Sequence, residues 1–219
     1  MPKKSFTWVI LFLLITSLPF ILLISNFRIL LYSEDYYKAE FQKHGVYESL
    51  KGHDIEKINK DVLDYFKNKD NLINNDFFNE REKAHLLDVK KLLNDIFYLF
   101  YLLILNFIIL IIALYFLNKR KFLRYIGFSL AFGSALSFLY AFVLWLALKF
   151  NFGETFTLFH KLFFKGNWMF NPLTNKMVVL YQEGFFFDFA FDVVLRTLIL
   201  AFVLILIGMI LFLRAKKKE

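Results

Sequence analysis

The stretch from Ile96 to Leu117, IFYLFYLLILNFIILIIALYFL, decides the fold because it contains no charged residue. A helix needs about 20 consecutive, mostly apolar residues to cross the hydrocarbon core of a bilayer. Three further runs meet this condition, at Phe6–Phe27, at Tyr125–Leu148 and from about Val193 to Leu213. The sequence therefore predicts an all-α membrane protein with four transmembrane helices.

The composition of the chain agrees with this prediction. Hydrophobic residues make up 58% of the 219 residues and include 31 phenylalanines, whereas soluble domains are nearer half apolar. The first apolar run follows Lys3 and Lys4, as the core of a secretory signal would. It is longer than such a core, and no Ala-x-Ala cleavage motif follows it. We therefore expect an uncleaved membrane anchor.

The basic residues predict the orientation, because Lys and Arg concentrate in cytoplasmic loops and ends. The N-terminus, the hinge NKRKFLR at 118–124 and the C-terminal RAKKKE together hold ten basic residues and one acidic residue, Glu219. Four spans put these three segments on one side, which we assign to the cytoplasm. The segment 32–95 holds eleven basic and fourteen acidic residues, which favours the outside.

Two external segments are predicted to form a mostly helical extracellular cap on the four helices. The predicted order is helix 1 with a cytoplasmic N-terminus (1–31), the first cap segment (32–95), helix 2 (96–117), cytoplasmic hinge (118–124), helix 3 (125–148), the second cap segment (149–188), and helix 4 with a basic cytoplasmic tail (189–219). This order predicts a multi-pass membrane protein with both termini in the cytoplasm.

The first cap segment contains two predicted helices. Apolar residues recur at helical spacing from Ile55 to Phe66. A second helix is predicted to begin at Glu80 and to continue into the membrane, with Asn79 as N-cap and Glu82 as its capping-box partner. Residues three or four apart share a helix face, so this helix is expected to align Arg81, His85 and Asp88.

The second cap segment is less regular. We predict a short helix at Thr155–Phe164 and a short strand in KMVVLY (176–181). Asp192 and Arg196 are four residues apart and are expected to form an ion pair at the start of helix 4. Within helix 3, Ser129, Gly133 and Ser137 form a small-residue face that favours close helix packing.

The chain lacks several common catalytic groups. It has no cysteine, no HExxH zinc motif and no GxSxG nucleophile turn. Of its four histidines, His44 and His53 are expected on the exposed cap surface, whereas His85 and His160 lie near the predicted membrane boundary among aromatic residues. A zinc site completed by Asp88 or Glu183 is a weak alternative. The pattern leaves histidine acid–base chemistry open, since imidazole exchanges protons near neutral pH.

Two stretches carry a family resemblance. FFNEREKAHLLDVKKL (77–92) and FHKLFFKGNWMFNPLTNKMVVLYQEGFF (159–186), set among four spans, resemble the bacterial lipoprotein intramolecular transacylase family, Lit. The resemblance implies an acyltransferase that moves the sn-2 acyl chain of a diacylglyceryl lipoprotein to the α-amine of its own N-terminal cysteine, giving a lyso-form lipoprotein. It implies a bacterial plasma-membrane protein with His85 and His160 as catalytic residues at the outer leaflet. Neither a metal, a cofactor nor nucleic acid is expected, and we expect a monomer.

The implied reaction fits the residues present. Attack of the amine on the ester carbonyl closes an eight-membered ring, so that holding the two ends together is a large part of the catalysis. One histidine would act as base on the amine and the other would stabilise the oxyanion or protonate the departing alkoxide, with no acyl-enzyme. Supporting or substrate-binding roles are predicted for a further group: Asn79, Arg81, Asp88, Phe163, Asn167, Trp168, Phe170 and Arg196.

Two other functions are compatible with the residues alone. In the first, the protein is not an enzyme but a membrane anchor or accessory protein whose cap binds a partner, and both histidines are dispensable. In the second, the protein is a metal-dependent lipid hydrolase, and its activity is sensitive to chelators.

Overall fold

A computed structural model of the protein describes residues 3–70, 73, 75–166 and 168–217, and every regular element within them is helical. This confirms the all-α prediction. The helices are α1 (Lys3–Leu31), α2 (Glu34–Lys43), α3 (Val46–Ser49), α4 (Ile55–Phe66), α5 (Glu80–Leu117), a 3₁₀ turn (Lys119–Lys121), α6 (Phe122–Phe163), α7 (Met177–Leu180) and α8 (Glu183–Lys216).

Four of these helical segments are long and apolar enough to cross a membrane: Lys4–Leu31, Glu80–Leu117, Lys119–Phe163 and Glu183–Lys216. The number confirms the predicted four spans. α5 runs without a break from Glu80, as predicted, because neither glycine nor proline interrupts it. The boundaries of the cap and of the spans within these helices stay a prediction.

The chain divides into two compact units. The membrane unit comprises Met1–Arg28, Tyr98–Leu146 and Asp192–Glu219, and the cap unit comprises Ile29–Phe97 and Ala147–Phe191. Both histidines of interest, His85 and His160, belong to the cap unit.

Small residues bring the helices of the membrane unit together. A Cβ atom on Gly133 of α6 would lie 3.0 Å from Leu18 Cδ2 of α1, and Ser129 and Ser137 on the same face are buried. A Cβ atom on Gly208 of α8 would lie 2.7 Å from the carbonyl oxygen of Gly127 in α6. The small-residue face thus serves packing, as its four-residue spacing indicates.

Asn151 divides α6 into two helical stretches. Its backbone is extended, with φ of −161° and ψ of 87°. Its side-chain Oδ1 accepts a hydrogen bond from the Glu154 N–H at 3.1 Å, which caps the second stretch. The Thr155 hydroxyl donates to the carbonyl oxygens of Ala147 and Asn151. The second stretch, which carries His160, therefore has its own N-terminal cap and is not a continuation of the apolar helix before it.

Three predictions about the cap and helix 4 are wrong. KMVVLY forms the helical turn α7 and no strand, because the Met177 N–H donates to Glu82 and the Tyr181 N–H closes onto the Met177 carbonyl. His44 is only 20% exposed, because its Nε2 meets Asp188 Oδ2 at 2.7 Å.

The third wrong prediction is the ion pair expected between Asp192 and Arg196 in helix 4. In the described part of the chain, no ion pair joins Asp192 to Arg196, whose side chain is exposed and can hold its charge away from apolar surface. His53, by contrast, is exposed as predicted.

Replacing Gly208 tests the close packing of α6 and α8. In Gly208→Val the added carbons collide with the Gly127 carbonyl and the Ala131 amide, so we expect a loss of about 1–3 kcal/mol, typical of overpacking. Thermal unfolding in detergent measures it. The neighbouring control Met209→Val, at a half-exposed position, is expected to unfold like the parent protein, and equal melting of both variants would contradict this packing.

Candidate active site

A buried carboxylate sets the start of α5. Glu82 is 1% exposed, and its N–H donates to Asn79 Oδ1 at 3.0 Å while the Asn79 N–H donates to Glu82 Oε2 at 2.8 Å. This is the predicted capping box. The other oxygen, Oε1, accepts from the Met177 N–H at 2.9 Å. Glu82 therefore joins the first turn of α5 to α7, and His85 lies on the next turn.

His160 is held by the helix that Asn151 begins. Its Nδ1 lies 2.8 Å from the carbonyl oxygen of Phe156, one turn earlier. A carbonyl oxygen only accepts hydrogen bonds, so Nδ1 carries the proton. In the neutral ring, Nε2 then keeps its lone pair and is available as a proton acceptor.

The two histidines, called the histidine pair below, lie side by side in the cap unit. Their ring centroids are 6.0 Å apart and the ring planes differ by 20°. Each of the two residues is 7% exposed. In the described residues, neither ring nitrogen of His85 has a hydrogen-bond partner, so both could bond to a ligand. The pair can thus present one acceptor and one donor to a small group such as an ester.

Aromatic rings enclose the histidine pair. Phe164 contacts both members, with its ring centroid 4.9 Å from that of His85 and 5.3 Å from that of His160. Phe170 lies 5.5 Å from His85, and Trp168 lies 5.2 Å from His160. Phe156 and Phe159 complete this aromatic wall at 4.2 and 5.4 Å from His160. The wall limits the access of water to the imidazoles.

Burial sets the charge of both rings. Desolvation lowers the pKa of His85 to about 4, His160 adds to that effect, and Asp88 opposes it. Desolvation also lowers the pKa of His160, and the hydrogen bond to the Phe156 carbonyl offsets part of this effect by raising it. Both imidazoles are therefore neutral near pH 7, when each can accept one proton and donate one hydrogen bond.

Arg81 lies beside the aromatic wall. Its guanidinium donates to the Met169 carbonyl oxygen at 2.9 Å and lies 5.1 Å from the Phe170 ring centroid. Arg81 is itself exposed, so a positive charge stands at the edge of the site. Such a charge favours an anionic group of a substrate.

The structure brings together some of the predicted site residues and not others. Asp88 is in ion-pair distance of Lys91 at 3.5 Å, and in the described residues no hydrogen bond joins it to His85. Phe163 is 54% exposed and its ring contacts Phe159. Asn167 lies outside the described residues. Asn79 acts as the helix cap, and Arg196 belongs to the membrane unit.

Sequence reasoning missed Phe156 and Phe164. Both lie four residues from His160, on either side of it, and so share its face of the helix. That spacing was the signal available, whereas the prediction selected Phe163, whose ring contacts Phe159 and, among the described residues, neither histidine. The contact of Glu82 with Met177 had no local signal, because 95 residues separate the two.

Among the residues that the structure describes, the histidine pair is not part of a clustered set of metal ligands. Within the described residues, the group of histidine and carboxylate atoms close enough to share an ion is Glu40, His44 and Asp188. Neither Asp88 nor Glu183 joins His85 and His160 in such a group. An open acidic depression lined by Asp54, Asp61, Asp70 and Asp76 likewise contains none of the predicted site residues.

Comparison with known proteins gives a consistent result. A family model described as "Lipoprotein intramolecular transacylase Lit" matches residues 12–186. The fold is similar to the solved structure of the membrane integral lipoprotein intramolecular transacylase Lit from Bacillus cereus, with a TM-score of 0.83, 23% identity, and coverage of 99% of this chain and 100% of that chain.

A variant of that protein in which a histidine is replaced by alanine matches with a TM-score of 0.80 and 21% identity over 99% of this chain and 98% of that chain. No curated protein sequence matches the chain.

Removing the Glu82 carboxylate is expected to destabilise the site. Glu82→Ala loses the capping box and leaves the buried Met177 N–H unpaired, costs of about 0.5–2 and about 1–3 kcal/mol respectively. Thermal unfolding in detergent measures the change. Glu80→Gln is the matched control, because the Glu80 side chain is 92% exposed on the same turn. Equal stability of the two variants would contradict the role of Glu82.

The buried histidine pair predicts a pH-dependent stability. The pKa of His85 is about 4 in the folded protein and about 6.5 in an unfolded chain, so the unfolded state binds more protons between these values. The free energy of unfolding should therefore fall as the pH is lowered from 6.5 to 4, by about 1–3 kcal/mol. His85→Gln should reduce this fall. The exposed control His53→Gln should keep the parent slope, and an unchanged slope in His85→Gln would show that the ring is not desolvated.

Proposed function

The chain belongs to the lipoprotein intramolecular transacylase family, Lit, and on this premise we propose that it moves the sn-2 acyl chain of a diacylglyceryl-cysteine lipoprotein to the cysteine α-amine, through the histidine pair. Family membership makes it a membrane acyltransferase of lipoprotein processing, which displaces the non-enzymatic anchor as an explanation. The observation that carries the mechanism is the hydrogen bond from His160 Nδ1–H to the Phe156 carbonyl.

His160 acts as the base. Its Nε2 lone pair takes the proton from the α-amine as the nitrogen attacks the ester carbonyl carbon. The lowered pKa of His160 keeps the ring in the accepting form, and the α-amine, with a pKa of about 8, needs only a weak base. The resulting imidazolium is stabilised by the Phe156 carbonyl at Nδ1.

His85 acts as the hydrogen-bond donor. A neutral imidazole with a depressed pKa still has one N–H, which can stabilise a negative oxygen without transferring its proton. We assign this N–H to the oxyanion of the tetrahedral intermediate. When the C–O bond breaks, His160 returns its proton to the departing glyceryl alkoxide, so that the enzyme ends the reaction in its starting state.

The aromatic wall favours ring closure. The nucleophile and the ester belong to one substrate and must meet in an eight-membered cyclic intermediate, so confinement replaces an enzyme nucleophile. Phe164, Trp168 and Phe170 line the space beside the two imidazoles. We assign Arg81 to an anionic or carbonyl group of the lipoprotein, and the amide of Asn167 to a supporting role toward the oxyanion. Asp88 acts on His85 by charge alone.

The site is assigned to the outer leaflet. The basic N-terminus, hinge and C-terminal tail favour a cytoplasmic location for both termini, which leaves the cap unit outside. Arg196, in the outer half of α8, is assigned to substrate or lipid headgroups. All groups in the proposed chemistry come from one chain, which is compatible with a monomer.

Single substitutions in the histidine pair test this mechanism. General acid–base catalysis typically contributes about 10²–10⁴-fold, so His160→Asn should reduce conversion by at least about 10²-fold. His85→Asn should have a smaller effect, because the amide N–H can still donate to an oxyanion. Purified enzyme and a diacylglyceryl lipoprotein would be incubated in mixed micelles, with His53→Asn as the control that keeps full conversion.

The readout must distinguish isomers, because the transfer leaves the mass of the lipoprotein unchanged. Tandem mass spectrometry of the N-terminal lipopeptide locates the acyl chain, and an amine-reactive label reports the loss of the free α-amine. Full conversion by a folded His160→Asn protein would refute the mechanism. Loss of the sn-1 chain from the glyceryl group in place of the sn-2 chain would refute the assigned position of transfer.

A further inference from the structure

We propose that Glu40, His44 and Asp188, in the cap unit, form a binding site for a divalent transition-metal ion, with zinc as the best fit. None of these residues is assigned to acyl transfer, so the proposal does not depend on the function proposed above.

The three side chains converge from two helices. Glu40 and His44 are four residues apart at the end of α2, and Asp188 lies near the start of α8. One ligand atom from each lies within 4.8 Å of the others. His44 Nε2 is 3.3 Å from Glu40 Oε2, close to the separation of about 3.4 Å between two ligands bound tetrahedrally at about 2.0–2.2 Å from zinc.

Glu40 has a buried oxygen that lacks a hydrogen bond and lies 3.5 Å from the nearest lysine nitrogen, Lys43 Nζ. The residue is 8% exposed, and its Oε2 has no hydrogen-bond partner. That oxygen faces His44 Nε2, which at 2.7 Å is hydrogen-bonded to Asp188 instead. A buried carboxylate oxygen without a hydrogen bond carries a large desolvation cost, and a metal ion bound at this position would remove it.

The histidine ring is closely fitted in place. A Cβ atom on Gly184 would lie 2.7 Å from His44 Cε1 and 3.1 Å from His44 Nδ1. Any larger residue at 184 would therefore displace the imidazole. The ring is fixed with Nε2 directed at the two carboxylates, as a metal ligand requires.

Lys43 competes with the proposed ion. Its Nζ lies 2.8 Å from Asp188 Oδ2 and 3.5 Å from Glu40 Oε2, so it neutralises the carboxylates in the metal-free protein. The Lys43 side chain is 54% exposed and is long enough to turn out to solvent when a divalent ion binds. Metal affinity should therefore rise when this lysine is removed.

The donor set selects the class of metal. One imidazole nitrogen and two carboxylates suit zinc and its first-row neighbours, with the fourth position left for water. Calcium and magnesium prefer sites built of oxygen alone. The two carboxylates also balance the two positive charges of the ion, which limits the cost of burial.

A bound ion would stabilise the packing that holds His160 in place. It would clamp α2 to the first turns of α8, where Phe186 packs against Phe156 with ring centroids 5.3 Å apart. Phe156 in turn holds His160 through its carbonyl. The site would therefore act on stability and take no part in the chemistry.

Zinc titration of the full chain tests the proposal. The protein would be purified in detergent, freed of its affinity tag, treated with chelator and titrated with zinc chloride by calorimetry, with thermal unfolding in parallel. We expect one equivalent of zinc to bind and the melting temperature to rise. His44→Gln should weaken binding at least tenfold, whereas the exposed control His53→Gln should not.

Lys43→Met provides the second variant. It removes the competing cation at an exposed position and should fold, and we expect it to bind zinc several-fold more tightly than the parent. This keeps the test decisive even if His44→Gln fails to fold. Absence of stoichiometric zinc binding by Lys43→Met, or parent-like binding by a folded His44→Gln protein, would overturn the proposal.

Discussion

The Glu82 carboxylate makes two backbone hydrogen bonds on which the site depends. Through Asn79 it fixes where α5 begins, and through Met177 it ties that helix to the chain beyond the aromatic wall. A buried carboxylate is stable only when its oxygens are satisfied, so these contacts act together. The helix start then places Arg81 and His85, and the second half of α6 supplies His160. The geometry of the pair is thus set by capping interactions at the start of two helices.

Burial gives the histidine pair its chemical character. An exposed imidazole is partly charged near neutral pH, but the aromatic wall lowers the pKa of both rings and keeps them neutral. In the proposed mechanism, one neutral ring accepts a proton and the other donates a hydrogen bond. The Phe156 carbonyl selects the tautomer of His160. The proposed ring closure within the substrate needs no enzyme nucleophile, which agrees with the absence of cysteine from the sequence.

The sequence predicted the features of the fold that local patterns control. Uncharged runs indicated the four spans, and the Asn79–Glu82 spacing indicated the start of α5. The failures all involve contacts between distant residues. Two valines suggested a strand at 176–181, yet hydrogen bonding to Glu82 favours a helical turn there, and His44 is half-buried against Asp188, which is 144 residues away. Among consecutive phenylalanines, composition does not distinguish Phe163 from Phe164, although the four-residue spacing from His160 selects the latter.

The proposed mechanism depends on the protonation state of His160, which nitrogen NMR measures directly. The protein would be labelled with ¹⁵N-histidine, and the His160 signals would be assigned by their loss in His160→Asn. At pH 7 we predict a neutral ring with the proton on Nδ1 and a bare Nε2. A proton on Nε2, or on both nitrogens, would contradict the assignment of His160 as the base.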